Sequence, residues 1–111
     1  MKDDRLYLIH ISECIDHIEQ YVRDGKEGYL ADAKTQDAVL RKLHVLSESS
    51  QRLSEALKKK YPEVDWRAIS GFRNVVVHDY LGIDLEQVWQ IVTHDLPDLK
   101  AKIKKALADL S

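Results

Sequence analysis

The chain has 111 residues, of which 32% are charged, and its formal net charge at pH 7 is -2. This length predicts one domain, spanning residues 1–111, with a single hydrophobic core. The near balance of acidic and basic residues gives no global electrostatic argument for binding nucleic acid, so any site for a polyanion has to be local. The single cysteine, Cys14, excludes an intramolecular disulfide and leaves a zinc site without its usual thiolates.

The N-terminal segment is amphipathic rather than continuously apolar. We therefore expect neither a signal peptide nor a membrane-spanning segment, and the cytoplasm is the expected location.

Apolar residues recur every three or four positions along most of the chain, which predicts α-helices. The first helix is predicted over about residues 4–24, with Gly25 and Gly28 ending it. The second is predicted over about residues 35–60, with Thr35 as N-cap and Ser50 filling one position of its buried stripe.

Proline and capping residues divide the second half of the chain. Pro62 ends the second helix, and Asp65 is predicted to cap a third helix that starts near Trp66 and carries residues 73–80. Asp84 and Gln87 form a predicted capping box for the fourth helix, which Pro97 is expected to kink or restart. The predicted fold is all-α, an antiparallel bundle of four main helices whose last helix is interrupted at Pro97.

Residues 73–80 read Arg-Asn-Val-Val-Val-His-Asp-Tyr and put polar groups at the end of an otherwise apolar helix. Burying an unpaired guanidinium or imidazole is costly, so this segment is expected to face a cleft or a second subunit. On a straight helix Arg73 and His78 are roughly 140° apart and do not share a face. Either the helix ends between them, or they meet their counterparts from a second copy across a two-fold axis, which is the more economical arrangement.

Arginine and histidine without a carboxylate or thiol cluster suggest phosphoryl chemistry that needs no metal. In such RNA cleavage the 2′-hydroxyl attacks the adjacent phosphate, His78 moves a proton, and Arg73 offsets the charge that grows on the phosphorane. Asn74 could position the histidine or a phosphate oxygen. Two copies of the motif would supply two histidines, one as base and one as acid.

Arg73, His78 and Tyr80 in this spacing resemble the R-x4-H-x-Y signature of the HepT-like toxins, a branch of the HEPN superfamily. The flanking residues are similar too, namely Pro62, Trp66 to Ile69, Gly71, Phe72, Asp79 and the stretch from Asp37 to Glu48. The chain departs from the family at Ser47 and Ser49, where glycine and alanine commonly flank the glutamate. The role of Glu48 is therefore open.

The resemblance implies an HEPN-like fold and a toxin of a type VII HepT/MntA toxin–antitoxin system. It implies a homodimeric, metal-independent endoribonuclease that acts on RNA, with Arg73 and His78 as catalytic residues. It also implies an antitoxin that resembles the minimal nucleotidyltransferase MntA and transfers AMP from ATP to Tyr80, which blocks the site. The toxin itself would need no cofactor, whereas ATP and magnesium would belong to the partner.

Each assignment has a structural alternative. Arg73 could pair with Glu48 on the neighbouring helix, and His78 could cap the end of its own helix. Tyr80 could be an aromatic residue at the edge of the core, and Asn74 could simply face solvent. The whole chain could instead be a catalytically silent module that holds a nucleotide or docks on a nucleotidyltransferase, or a purely structural helical dimer.

The remaining histidines, lysines and tryptophans are predicted to have structural or surface roles. Histidines 10, 17, 44 and 94 lack metal-ligand spacing and are interpreted as surface or interface residues. Lysines 58–60 and the C-terminal lysines are typical of solvated helix ends, with RNA docking as the alternative. Trp66 and Trp89 are predicted to be packing anchors.

Overall fold

The computed structural model describes residues 2–77 and 84–110, with side chains for 3–72 and 84–110. Within these ranges the ordered elements are all helical, which confirms the all-α prediction. They are α1 (Lys2–Tyr21), α2 (Gly25–Ala31), α3 (Ala33–Gln51), α4 (Glu55–Lys60), α5 (Trp66–Val77), α6 (Leu85–Gln90), a π-helical turn (Ile91–Asp95) and α7 (Leu96–Leu110).

Four of these helices, α1, α3, α5 and α7, form the bundle. Helix α1 packs against both α3 and α7, and α3 packs against α5, whereas α5 and α7 share only sparse contacts. The start of α7 lies beside the end of α1, where Lys100 pairs with Asp16 and Glu19, so these two helices are antiparallel. The buried stripes meet in one core that includes Leu8, Ile11, Ile15, Ile18, Val39, Leu43, Leu46, Ile69, Phe72, Leu96, Leu99 and Ile103.

The segment after α1 differs from the prediction. Helix α1 ends at Tyr21, and Gly25 then begins a further short helix, α2, instead of closing the helical region. Gly25 has a φ of 83°, a left-handed conformation that suits glycine at the turn between the two helices. The short helix is held by Tyr29, which is 1% exposed, donates its hydroxyl to the carbonyl of Leu85 at 3.1 Å and packs its ring against that of Trp89 with the centroids 5.1 Å apart. No local pattern predicts a helix that depends on contacts so distant in sequence.

The predicted N-cap of α3 was wrong by three residues. Asp32, not Thr35, occupies that position and accepts a hydrogen bond from the backbone N–H of Lys34 at 3.1 Å. Thr35 instead donates its hydroxyl to the other carboxylate oxygen of Asp32 at 2.8 Å. The bond from Thr35 is the main reason that the pKa of Asp32 lies below its usual value.

The single helix predicted over residues 35–60 is two helices. Helix α3 ends at Gln51, and Ser54 caps α4 by accepting from the N–H of Leu57 at 3.1 Å. Asp4 of α1 is 5% exposed and accepts hydrogen bonds from both the N–H and the hydroxyl of Ser54, at 2.8 and 2.6 Å. The buried carboxylate of Asp4 stabilises the break between α3 and α4, because the N–H of Ser54 donates to it instead of to a carbonyl of the preceding helical turn.

The last helix is interrupted ahead of Pro97, as predicted. Asp84 caps α6 by accepting from the N–H of Gln87, which confirms that half of the predicted capping box. Because proline has no N–H to donate, the regular hydrogen-bond ladder fails at residue 97. The chain responds with the π-helical turn, in which the N–H of Leu96 reaches the carbonyl of Ile91 five residues earlier, and the helix then continues as α7.

Replacing Tyr29 by phenylalanine should change how stability depends on alkaline pH. Burial, followed by the nearby Glu86 and Asp84, raises the pKa of Tyr29 to about 12, above the value of about 10 expected in the unfolded chain. The folded protein therefore keeps a proton that the unfolded chain loses, so this contribution is complete below pH 10 and is lost as the pH rises towards 12. Tyr29→Phe should lower the free energy of unfolding at pH 7 by about 1 kcal/mol but give a shallower decline above pH 10.

The measurement is urea unfolding between pH 7 and 11.5, with Tyr21→Phe as control because Tyr21 is exposed. Parallel alkaline declines for wild type and Tyr29→Phe would contradict the assignment.

Candidate functional site

Helix α5 carries the first two predicted site residues. Arg73 and Asn74 lie within its backbone, although their side chains are outside the described set, and His78 and Tyr80 lie outside the described residues. The helix runs to Val77, so it does not end between residues 73 and 77. Of the two arrangements that the sequence left open, an end of the helix between Arg73 and His78 is not found as far as Val77, and the meeting of two copies stays a prediction. The positions of the His78 and Tyr80 side chains stay predictions.

The first turns of α5 are fixed firmly to the rest of the bundle. Asp65 accepts from the N–H of Ala68 at 3.0 Å, which confirms the predicted cap. The indole N–H of Trp66 donates to the carbonyls of Lys58 and Tyr61 at 3.2 and 3.1 Å, so this tryptophan anchors the turn between α4 and α5. Arg73 and Asn74 thus lie in the C-terminal half of a helix whose start is held by hydrogen bonds and core packing.

Small serine residues let α5 lie close to α3. Ser47 is fully buried, and its hydroxyl donates to the carbonyl of Ser70 on α5 at 3.4 Å. Ser50 is 2% exposed and donates to the carbonyl of Ser47 at 2.7 Å, so the buried hydroxyls have partners without needing water. The serine at position 47, where the sequence departs from the family pattern, therefore fits a site that demands a small side chain.

Position 73 lies one turn beyond Ile69 and Ser70, on the side of α5 that faces α3. On α3, Glu48 follows Ser47 and is half-buried, with its carboxylate 3.9 Å from the imidazole of His44. The alternative pairing of Arg73 with Glu48 concerns a side chain outside the described set and stays a prediction.

Gly71 lies on a different side of α5, next to no other described helix. It is half-exposed, and a Cβ built at this position would have no heavy atom within 4 Å outside its own helix and chain neighbours. A glycine inside a helix costs about 0.5–1 kcal/mol relative to alanine. Within the described part of this chain, no close contact at Gly71 requires a glycine and so offsets that cost.

Of the other histidines, three are exposed, whereas His44 is half-buried beside Glu48. His10 packs edge-on against Tyr7, and His17 stacks with Tyr21, while both imidazoles remain exposed. His94 is exposed in the π-helical turn. In the described part of the chain, no three His, Cys, Asp or Glu side chains converge in a way that could hold a metal ion.

Two of the C-terminal lysines form ion pairs and hydrogen bonds within the bundle. Lys100 lies 2.7 Å from Glu19, and this hydrogen bond is the main cause of its raised pKa. Lys102 pairs with Asp98 at 2.8 Å and donates to the carbonyl of Glu63 at 2.7 Å. These contacts favour the structural interpretation of both lysines over RNA docking. No helix in the described ranges is both long and apolar enough to cross a membrane.

Enlarging Ser47 should loosen the helix that carries the motif. Ser47→Ala removes only one long hydrogen bond and should cost about 1 kcal/mol or less. Ser47→Leu forces extra methylenes between α3 and α5, which should cost about 1–3 kcal/mol or more. Urea unfolding of both variants measures the difference, with Ser47→Ala as the matched control. Equal stability of the two variants would show that α3 and α5 do not need a small residue at this contact.

Comparison with known proteins places the chain among ribonuclease-like relatives. A family model described as "Ribonuclease HepT-like" matches residues 11–106. "Probable ribonuclease HepT" from Thermococcus cleftensis is 38% identical over 100 residues, which cover 89% of this chain and 91% of that protein. "Putative RNase MJ0127" from Methanocaldococcus jannaschii is 34% identical over 110 residues, covering 98% of this chain and 91% of that protein.

A third relative, also from Methanocaldococcus jannaschii, is a longer protein. "Gamma-glutamylcyclotransferase and putative RNase MJ0434" is 34% identical over 110 residues, so this chain spans only half of its length. No solved structure matches this chain.

The helical bundle is an all-α, HEPN-like domain. The family model that matches it describes ribonucleases. The chain belongs to the HepT-like ribonuclease family. The helices and their order could be predicted largely from periodicity, whereas the buried Ser47 and the open face at Gly71 could not. The only sequence signal for the former was a cluster of serines within an apolar stripe.

Proposed function

We propose that this protein is a metal-independent endoribonuclease, the toxin of a HepT/MntA toxin–antitoxin system, and that it acts as a homodimer. The observation that carries the proposal is the family match, because residues 11–106 include the whole of the Arg-x4-His-x-Tyr motif. The continuous helix through Val77 further supports the homodimer. If the helix continues to residue 78, Arg73 and His78 lie on different sides of it and cannot meet within one copy. In a dimer, Arg73 of one copy could instead meet His78 of the second copy.

The proposed reaction uses the RNA as its own nucleophile. A histidine, His78, takes the proton from a ribose 2′-hydroxyl, whose oxygen attacks the adjacent phosphorus. Arg73 stabilises the negative charge that develops on the phosphorane oxygens, and Asn74 helps to orient the phosphate. As the bond from phosphorus to the 5′-oxygen breaks, the protonated His78 of the second copy gives that oxygen its proton, leaving a 2′,3′-cyclic phosphate and a 5′-hydroxyl.

The proposed off-state is a covalent modification of Tyr80. Within the partner nucleotidyltransferase, the phenol oxygen attacks the α-phosphorus of ATP, a phosphodiester to AMP forms, and pyrophosphate leaves. ATP and magnesium are needed by the partner alone. The attached AMP would occupy the mouth of the site two residues from His78 and compete with RNA for Arg73 through its own phosphate.

Cleavage of RNA by the purified chain in the presence of EDTA tests the nuclease proposal. A 2′-O-methyl RNA of the same sequence is the matched control, because it lacks the attacking hydroxyl. Cleavage of the ordinary RNA alone is the expected result. No cleavage by well-folded wild type would favour the silent binding module.

The AMP switch has its own expected result. Protein purified together with the neighbouring nucleotidyltransferase should carry whole AMP units on Tyr80, and protein purified alone should carry none. Intact mass followed by peptide mapping over residues 73–80 measures this, with Tyr80→Phe as the control that cannot be modified. An unmodified Tyr80 under both conditions would remove the switch while leaving the nuclease proposal standing.

A further inference from the structure

The bundle is open along one side, between α5 and α7. These two helices share only sparse contacts, and a cavity of about 240 Å³ lies between them. Ile69, Phe72 and Leu99 provide an apolar lining, and all three belong to the hydrophobic core. Every other pair of neighbours around the bundle is closed by direct packing of helix on helix.

The rim of this cavity, in contrast, is acidic. Asp65 of the α5 cap, Asp95 of the π-helical turn and Asp98 of α7 all line it. The only basic residue of the lining, Lys102, is engaged with Asp98 and with the carbonyl of Glu63. Asp65 uses one carboxylate oxygen for the N–H of Ala68, and the carboxylate of Asp95 has no hydrogen bond or ion pair with any described residue. The groove therefore keeps a net negative rim over an apolar floor.

We propose that the groove between α5 and α7 docks a segment of a partner protein that inserts an arginine or lysine side chain flanked by apolar residues. The argument is charge complementarity combined with the apolar floor. The stem of such a side chain lies over the edges of Ile69, Phe72 and Leu99, which are 3%, 4% and 5% exposed, while its cationic end meets the carboxylates of the rim. The phosphates of a nucleic acid would meet the same carboxylates with repulsion, so the catalytic substrate does not suit this groove.

The dimensions of the groove fit such a segment. Its lining extends over two helical turns on each side, from residue 65 to 72 and from residue 95 to 102, a length of about 11 Å. An amphipathic helix of a few turns presents one basic and two or three apolar residues over that distance. The floor residue Phe72 directly precedes Arg73, so a partner bound here would press on the helix that carries the motif. The proposal concerns binding and does not depend on nuclease activity.

A pair of synthetic peptides tests the proposal on the full chain. Each is a short amphipathic helix with leucines along one face. One carries a central arginine, and the other carries citrulline, which has the same shape without the charge. Titration into isotopically labelled protein, followed by backbone amide NMR, should shift the signals of Ala68, Ile69 and Leu99. The arginine peptide should bind at least about tenfold more tightly than the citrulline peptide.

The acidic rim is then removed without touching the motif. Asp95→Asn combined with Asp98→Asn should abolish the preference for arginine. Glu27→Gln combined with Asp37→Asn removes the same charge at exposed positions on α2 and α3 and should leave the preference intact. Thermal unfolding of both double variants checks that each remains folded.

Several outcomes would overturn the proposal. They are failure of the arginine peptide to shift these amides, equal affinity for the two peptides, and a preference that survives loss of the rim carboxylates. Shifts of the same amides on concentrating the protein alone would make a second copy the occupant instead. Shifts with a 2′-O-methyl RNA oligonucleotide would make nucleic acid the occupant.

Discussion

His78→Ala is expected to reduce the rate of RNA cleavage about 10²–10⁴-fold, because it removes the group proposed to move protons at both the attacking and the leaving oxygen. The methyl group of alanine neither accepts nor donates a proton, so only the background contributed by Arg73 and by RNA binding should remain. The measurement is the single-turnover rate on a defined RNA in EDTA. Expression of wild type without a partner should arrest growth, and His78→Ala should relieve the arrest.

Variants at Arg73 separate charge from geometry. Arg73→Ala removes the stabilisation of the phosphorane, whereas Arg73→Lys retains the positive charge without the planar, two-pronged donor. We expect Arg73→Lys to fall between wild type and Arg73→Ala. Substrate affinity should change less than the rate of the chemical step, because the charge that Arg73 offsets grows in the transition state.

Two results would count against these roles. One is cleavage by His78→Ala at the wild-type rate, and the other is loss of cleavage that follows a loss of folded protein in either variant. Far-ultraviolet circular dichroism and thermal unfolding distinguish the latter from a catalytic defect. If Arg73 only pairs with Glu48, then Arg73→Ala should lower stability, and Glu48→Gln should lower it by a similar amount while both keep their activity.

The parts of the fold that could be predicted from sequence are those fixed by neighbours along the chain. Asp65 and Asp84 cap their helices through groups three residues away, and Pro97 disturbs a ladder that is itself local. The failures share the opposite property. Helix α2 depends on Tyr29 reaching Leu85, and the break after α3 depends on Asp4 reaching Ser54, contacts that span 56 and 50 residues.

The same distinction applies to the candidate site. Arg73, His78 and Tyr80 could be chosen because their chemistry and spacing are written in eight consecutive residues. Their supporting surroundings could not be predicted, because burial of Ser47 under Ser70 and the opening between α5 and α7 arise only when helices pack. A pattern of apolar residues shows that a helix has a buried face. It does not show how closely the neighbouring helix approaches or where a gap is left.

Enlarging Gly71 is expected to stabilise the single chain and yet weaken the proposed dimer. Among the described residues of the chain, a Cβ at this position has no heavy atom within 4 Å outside its own helix and chain neighbours, so Gly71→Ala should raise the free energy of unfolding of the monomer by about 0.5–1 kcal/mol. If a second copy approaches this face of α5, the same methyl group meets its backbone or side chains. Gly71→Leu adds more bulk and, at a typical overpacking cost of about 1–3 kcal/mol, should raise the dissociation constant of the dimer about 5–150-fold.

Enlarging Gly71 should thus stabilise the monomer and weaken the dimer. An ordinary destabilising substitution lowers the stability of the monomer and of the dimer together, so the opposite signs identify a residue at the contact between copies. Sedimentation of wild type, Gly71→Ala and Gly71→Leu over a range of concentrations gives the dimer dissociation constant, and cleavage at the same concentrations should fall in parallel. Ala101→Leu, at an exposed position on α7, adds comparable bulk away from the motif helix and should leave both dimer and cleavage unchanged. A dimer of wild-type affinity in Gly71→Leu would place the two-fold contact on another face, because a leucine could not then lie between two closely packed copies of α5.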